Sequence, residues 1–449
     1  MTVEELLERF AAQPSARAFV ADGRAVTYGE VLERVAVERA RVAVEGIAPG
    51  EVVLLLADYS PEVFCLILAL AEAGAVIAPL TPESVVERET VMDLAQPAWI
   101  VDALSGEPRF ERAGGVADHP LLARLREQGR PGLLLFSSGS TGTPKGIVHD
   151  LERVMEKFTA PRRAQTAICF LMLDHFGGIN TLLAITSSLG TVVTVRERSV
   201  AAICATIERE RVELLPATPS FLNVLVRSDA HERFDLSSLR TITYGTEVMP
   251  QATLDRLAER FPGVKLQQTY GLSELGVLRS QSREDGSLWV RVGGSGFETK
   301  VVDGILWIRS QFAMLGYLNA PSPFDADGWF CTQDRVEVDG EWLRILGRTT
   351  DLLNVGGQKV YPAEVEEVIL ELDGIEDVAV YGEPHPLLGT IVAARVRTTE
   401  PEALPDLKKR VRRACAARLA PFKVPAKVVL SDDDLYTSRL KKQRTARAA

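Results

Sequence analysis

Four short apolar runs, each ending in a polar or glycine-rich loop, constrain this chain more than any other feature. Leu133 to Phe136 leads into "SSGSTG", Ala167 to Leu173 into "DHFGG", Thr241 to Tyr244 into "GTE", and Val264 to Thr269 into "YGLSE". Helical stretches such as Val200 to Arg211 and Ala252 to Phe261 intervene. Strands alternating with helices predict a largely parallel sheet. In open sheets of that kind ligands bind beyond the carboxyl ends of the strands, so the four loops are expected to converge on one pocket. The longest apolar stretch, Val63 to Leu80, contains Glu72, Gly74 and Pro79. It reads as a buried helix running into a buried strand rather than a membrane span.

Composition narrows the class. With 449 residues, 46% of them hydrophobic, the chain is long enough for two or three domains with substantial cores. A net charge of -10 argues against a general affinity for nucleic acid or an anionic membrane, although the end of the chain is locally basic. Cys65, Cys169, Cys204, Cys331 and Cys415 are odd in number and scattered, which suggests neither a disulfide framework nor a zinc site and fits a reducing cytoplasm. The opening "MTVEELLERF" is acidic and amphipathic, with Thr2 and Glu5 spaced as a capping box, unlike a signal peptide. The expectation is a cytoplasmic enzyme with no nucleic-acid or membrane partner.

The loop at 137 to 146, "SSGSTGTPKG", surrounds one lysine with small residues. Glycine lets backbone N–H groups approach a ligand, hydroxyls add donors, and Lys145 adds charge, a combination suited to phosphate oxygens. The spacing is not that of the nucleotide-binding P-loop, G-x-x-x-x-G-K-[ST]. From about residue 352 the pattern changes to helix "PAEVEEVILEL", strand "DVAVYG", strand "TIVAARVR", helix "PDLKKRVRRACAARL" and strand "AKVVL", enough for a small α+β domain. The junction "GRTTDLLNVGG", residues 347 to 357, reads as a hinge or as an ordinary interdomain turn.

Taken together, the chain resembles the adenylate-forming superfamily of acyl- and aryl-CoA synthetases, luciferases and nonribosomal peptide adenylation domains. The resemblance runs from about residue 10 to 444. It is carried, in order, by "FSSGSTGTPKG", "HFGG", "YGTE", "QTYGLSE", "GYLN", "WFCTQD", "GRTTD", "NVGGQKVYPAEVE", "GEPHPLLG" and "LKKQR". It implies an α/β protein: a large N-terminal domain over 1–350, with layered subdomains and mostly parallel sheets, and a small mobile α+β domain over 351–449. It further implies an AMP-forming acid-thiol ligase that turns a carboxylic acid into an acyl adenylate with ATP and Mg²⁺, then passes it to CoA or a carrier protein's phosphopantetheine.

The roles the resemblance implies fall on particular residues. Ser137, Ser138, Gly139, Ser140, Thr141, Gly142 and Lys145 would hold the β- and γ-phosphates, with Thr141 and Glu274 at the Mg²⁺. Ser273 would stand beside the α-phosphate, in the turn begun by Thr269, Tyr270 and Gly271. Gly245, Thr246 and Glu247 would border adenine, and Asp334 would accept from the ribose hydroxyls, with Arg348 joining it on the ribose or α-phosphate side. Thr246 and Gln333 occupy positions where the family usually has glycine, as does Leu440. His175, Phe176, Gly177 and Tyr244 would line the acyl pocket, His175 serving as its gate. Lys441 would be the catalytic lysine, Asp351 the hinge, and Gly356 and Gly357 the flanks of the pantetheine channel. Two other outcomes stay open: an adenylate passed to an amine or formed from another oxyanion such as nitrite, and a degenerate nucleotide-binding module.

Overall fold

The computed structural model describes residues 1–84, 86, 88–116, 118–137, 144–386, 389–433, 435–436 and 442–444. Three seven-stranded sheets build the larger part of the molecule, and a smaller unit follows. In the first sheet the neighbours run Lys265–Gln268, Thr241–Tyr244, Leu214–Ala217, Thr166–Cys169, Thr191–Thr194, Arg17–Ala21 and Arg24–Thr27, all parallel except the last. These strands are short apolar runs because helices cover the sheet. The second sheet holds Val52–Leu56, Val76–Leu80 and Gly132–Ser137 in parallel. Helix Pro61–Glu72, opened by the Ser60 cap and a proline in its first turn, feeds Val76–Leu80 as the sequence predicts. The capping box of Thr2 and Glu5 starts helix Val3–Ala11.

Two departures from simple alternation position the site. Gly132–Ser137 is not followed by a helix: it turns back into Lys145–Asp150, antiparallel and adjacent, with Ser137 opposite Lys145. The two strands that flank the glycine-serine segment are therefore antiparallel neighbours, and Lys145 stands on the returning one. The third sheet, from Tyr270–Leu272 through Gly276–Ser282 to Phe330–Asp339 and Trp342–Arg348, is antiparallel throughout. Its first strands follow directly from the edge strand Lys265–Gln268 of the first sheet.

The small unit pairs Ile375–His385 with Gly389–Thr398 and Lys427–Leu430, and covers them with helices Pro362–Leu370 and Leu404–Arg418 around its own apolar core. It is bonded to the large unit through helix Pro219–Arg227. Asn223 donates to the carbonyl of Glu376 at 3.1 Å, while Arg227 donates to the carbonyls of Leu370, at 2.7 Å, and Ile375. These are hydrogen bonds to carbonyls at a helix end and at the start of a strand. At about 1 kcal/mol net per bond, removing them should loosen the joint more than either core. The double variant Asn223→Ala, Arg227→Ala is expected to speed limited proteolysis within residues 347–357 by about fivefold or more while the Tm changes little. Unchanged cleavage would mean that other contacts hold the units together.

Candidate active site

The loops at the strand ends do converge. A cleft of about 1220 Å³ is lined by Phe136, Ser137 and Lys145 from the hairpin, His175 to Gly177, Gly245 to Glu247, and Thr269 to Glu274. Asp334, Arg348, Asp351, Lys442 and Arg444 line it as well. Of the expected phosphate loop, Ser138, Gly139, Ser140, Thr141 and Gly142 lie outside the described residues, as do Leu440 and Lys441.

The cation Lys145 and the carboxylate Glu274 are tied together by Tyr317. The Tyr317 hydroxyl donates to Glu274 Oε1 at 2.8 Å, and Lys145 Nζ stands 4.9 Å from the centre of the Tyr317 ring. Asn319 fixes the backbone on both sides of Lys145, accepting from Gly146 N at 3.1 Å and donating to Pro144 O at 2.8 Å. Both residues belong to "GYLN", a segment that marked the resemblance but received no site role from the sequence. Strand Gly316–Tyr317 pairs with Lys145–Asp150, which brings the motif alongside the hairpin.

A second polar group surrounds Asp334. Tyr270 donates its hydroxyl to Asp334 Oδ2, and Arg348 Nε lies 3.2 Å from Oδ1, so two residues of the expected nucleotide set meet a third. Burial, only partly offset by Arg348, raises the Asp334 carboxyl above its ordinary value. Glu247, at the "GTE" loop, accepts from Ser220 Oγ at 2.6 Å and from the backbone N–H of Lys442.

Local backbone geometry explains some residue choices and exposes strain at others. A Cβ on Gly245 would lie 2.5 Å from Thr269 Oγ1 and 2.7 Å from Thr269 O, so only glycine permits this approach. Thr246 and Gln333 both adopt left-handed backbone, at φ 73° and 62°. The turns keep a glycine-like conformation although neither residue is glycine. Gln333 is held there in part by Thr349, whose hydroxyl donates to its Oε1 at 2.8 Å.

Where the acyl pocket is expected, His175 occupies the N-cap position of helix Phe176–Thr186 without a side-chain cap bond, and the Phe176 ring lies 5.0 Å from that of His149. Burial lowers the His149 imidazole to about 4, so it is a neutral ring beneath the cleft at pH 7. Around Gly177 there is open space. Tyr244, expected to line this pocket, does not: it is 1% exposed and turns its ring into the core with Ile242 and Met249. Strand alternation accounts for the correction, because Thr241 and Thr243 take the cleft-facing positions. Gly356 and Gly357 form the two-residue turn between Leu353–Val355 and Gln358–Val360, both at positive φ, and are exposed rather than lining the cleft.

The C-terminal tail reaches the site from the small unit. Lys442 pairs with Asp377, and Arg444 with Glu366 at 2.7 Å, both carboxylates being about 4% exposed. Burial alone would raise the Glu366 carboxyl, but Arg444 and Lys442 outweigh it and hold it below the ordinary value.

The model of the AMP-binding enzyme family matches residues 6–318, and that of the AMP-binding enzyme C-terminal domain matches 364–442. This chain belongs to the AMP-binding enzyme family. It is accordingly an enzyme of the adenylate-forming superfamily. It is similar to the long-chain-fatty-acid–CoA ligase FadD13 of Mycobacterium tuberculosis, 28% identical over 86% of this chain and 85% of that one. It is also similar to the indoleacetate–CoA ligase of Aromatoleum aromaticum, 28% identical over 96% and 95%. Its fold matches the anthranilate CoA ligase AuaEII bound to anthranoyl-AMP, with a TM-score of 0.83 at 20% identity over 99% and 96% of the two chains.

A β-branched residue in left-handed backbone is strained by about 1–2 kcal/mol. Thr246→Gly is therefore expected to raise the Tm by about 1–2 °C, whereas Gly245→Ala lowers it and weakens nucleotide binding. A lower Tm for Thr246→Gly, read by calorimetry, would show that the threonine's contacts outweigh its strain.

Proposed function

We propose that this enzyme joins a carboxylic acid to ATP, releasing pyrophosphate and forming an acyl adenylate, and then delivers the acyl group to a thiol, that of CoA or of a carrier protein's phosphopantetheine. The observation that supports it most is the meeting in one cleft of Lys145 and Glu274, of Asp334 with Arg348, and of a C-terminal tail docked on Glu247. The relatives named as CoA ligases favour CoA as the acceptor.

The chemistry asks little of a base. An ionised carboxylate is already a nucleophile, so the work is to neutralise charge on phosphate and to align the reactants. Lys145 and Ser137, with Ser138 to Gly142, would take the β- and γ-phosphates. Asp334 would accept from the ribose hydroxyls with Arg348 beside it, while Gly245, Thr246 and Glu247 border adenine. Glu274, oriented by Tyr317, suits Mg²⁺, a hard cation that needs one or two carboxylates when phosphates supply the rest. Among the described residues no cluster of three acidic, histidine or cysteine side chains offers a metal site of its own. Bound there, Mg²⁺ would offset phosphate charge.

Lys441 precedes a residue whose backbone N–H is bonded to Glu247, so the lysine is proposed to bridge the acid's carboxylate and the α-phosphate. One charge at about 4 Å and an effective dielectric near 20 is worth about 4 kcal/mol. The domain 351–449 is proposed to move as a unit about Asp351 and, once rotated, to bring Gly356 and Gly357 to the thiol's path. Lys441→Ala should slow ATP–pyrophosphate exchange by roughly 10²-fold or more while thiol transfer from a supplied acyl adenylate stays near normal. Equal loss in both half-reactions would argue against the moving domain. No exchange with any acid of a broad panel would leave a nucleotide-binding module as the reading.

A further inference from the structure

Three cations meet at one end of the cleft with no carboxylate among them. Lys157 donates to Asn180 Oδ1 at 2.7 Å and to the carbonyl of Val277, both neutral acceptors. Arg162 and Arg279 line the same end and are exposed at its rim, while Lys157 sits further in. Among the described residues, none of the three has an acidic partner. Elsewhere Lys442 has Asp377, Arg444 has Glu366, and Arg198 has Asp58 at 2.7 Å, while Arg227, bonded to neutral acceptors only, is enclosed at the joint between the units and not in the cleft. Asp174, the acid nearest in sequence to the His175 turn, is not among the charges acting on Lys157. Burial first, then Arg162 and Arg279, pull Lys157 down to about 7, and burial and Arg279 lower Arg162 in turn.

An ammonium has three donors, and two are taken. Asn180 lies on the helix opened by His175 and Val277 on strand Gly276–Ser282, so the lysine is fixed by elements of the acyl side and not by the phosphate hairpin. Its remaining donor and the two guanidinium groups have like charge, and among the described residues no carboxylate pairs with them. An anion entering there would relieve the mutual repulsion and restore full charge to the lysine.

We propose that this end of the cleft is an anion subsite, and that the acid activated carries a second anionic group, as a dicarboxylate does, held by Lys157 with Arg162 and Arg279. The inference rests on the carboxylate-activating reading above and names its substrate class.

The test presents acids in matched pairs, octanedioate with octanoate and terephthalate with 4-methylbenzoate, to the full-length enzyme. Binding is read by calorimetry and activation by ATP–pyrophosphate exchange. The dianion of at least one pair is expected to be favoured about tenfold or more, and the preference to disappear in Lys157→Met. Arg162→Ala, at the exposed rim, is a second variant that spares the fold and should reduce the preference severalfold. No dianion preference in either readout, or a preference that survives both variants, overturns the subsite. Exchange that runs equally on both members of every pair, with neither slowed in Lys157→Met, sinks this inference alone. A dianion preference in binding, lost in the variants, with no exchange for any acid keeps the subsite and sinks the ligase reading.

Discussion

Lys442 is bonded twice, once by its backbone to Glu247 in the large unit and once by its ammonium to Asp377 in the small one. Asp377 also receives Asn223 of the large unit at 3.4 Å, and Asn223 in turn accepts from Arg227 and Thr253. The side-chain network at the joint and the placement of the tail are thus one construction. A buried ion pair gains little net stability against an apolar substitute, but removing one partner leaves an uncompensated charge. Lys442 and Arg444 therefore define where the tail runs more than how firmly the small unit folds, whose stability rests on Val365, Ile369, Val378, Val392 and their neighbours.

Much of the architecture was legible because periodicity reports burial. Thr241–Tyr244 forms a strand over the predicted range, and helix Val200–Glu210 ends one residue short of the expected Arg211, which takes the left-handed cap. Sequence pattern does not report strand direction. "LLLF" could announce a parallel strand, yet whether the chain then continued into a helix or doubled back was decided by Lys145–Asp150 finding Gly316–Tyr317 as its outer neighbour, 166 residues beyond Asp150. Long-range pairing of that kind leaves no local mark.

The site was legible where a motif carried it and silent where packing did. Gly245, Asp334, Arg348 and Glu274 could be named from their turns. Tyr317 and Asn319 lay within a quoted motif, but their roles are relations to other segments, to Glu274 and to the backbone around Lys145. Lys157 had no signal at all: a lysine after a short helix is ordinary until Asn180 and Val277 close around it. Tyr244 was misread because an aromatic at a strand end can face either side, and only register settles which.

The zipped pair Gly132–Ser137 and Lys145–Asp150 carries a parity. Val148 points into the apolar cluster with Leu54 and Leu134, and His149 to the opposite side against Phe176. Extra residues between the two strands would merely enlarge the bend, whereas a single residue lost within the returning strand would exchange those faces and drive an imidazole into hydrocarbon. A change in length is thereby tolerated between the strands and not within the returning one, where it would turn the wall of the cleft inside out.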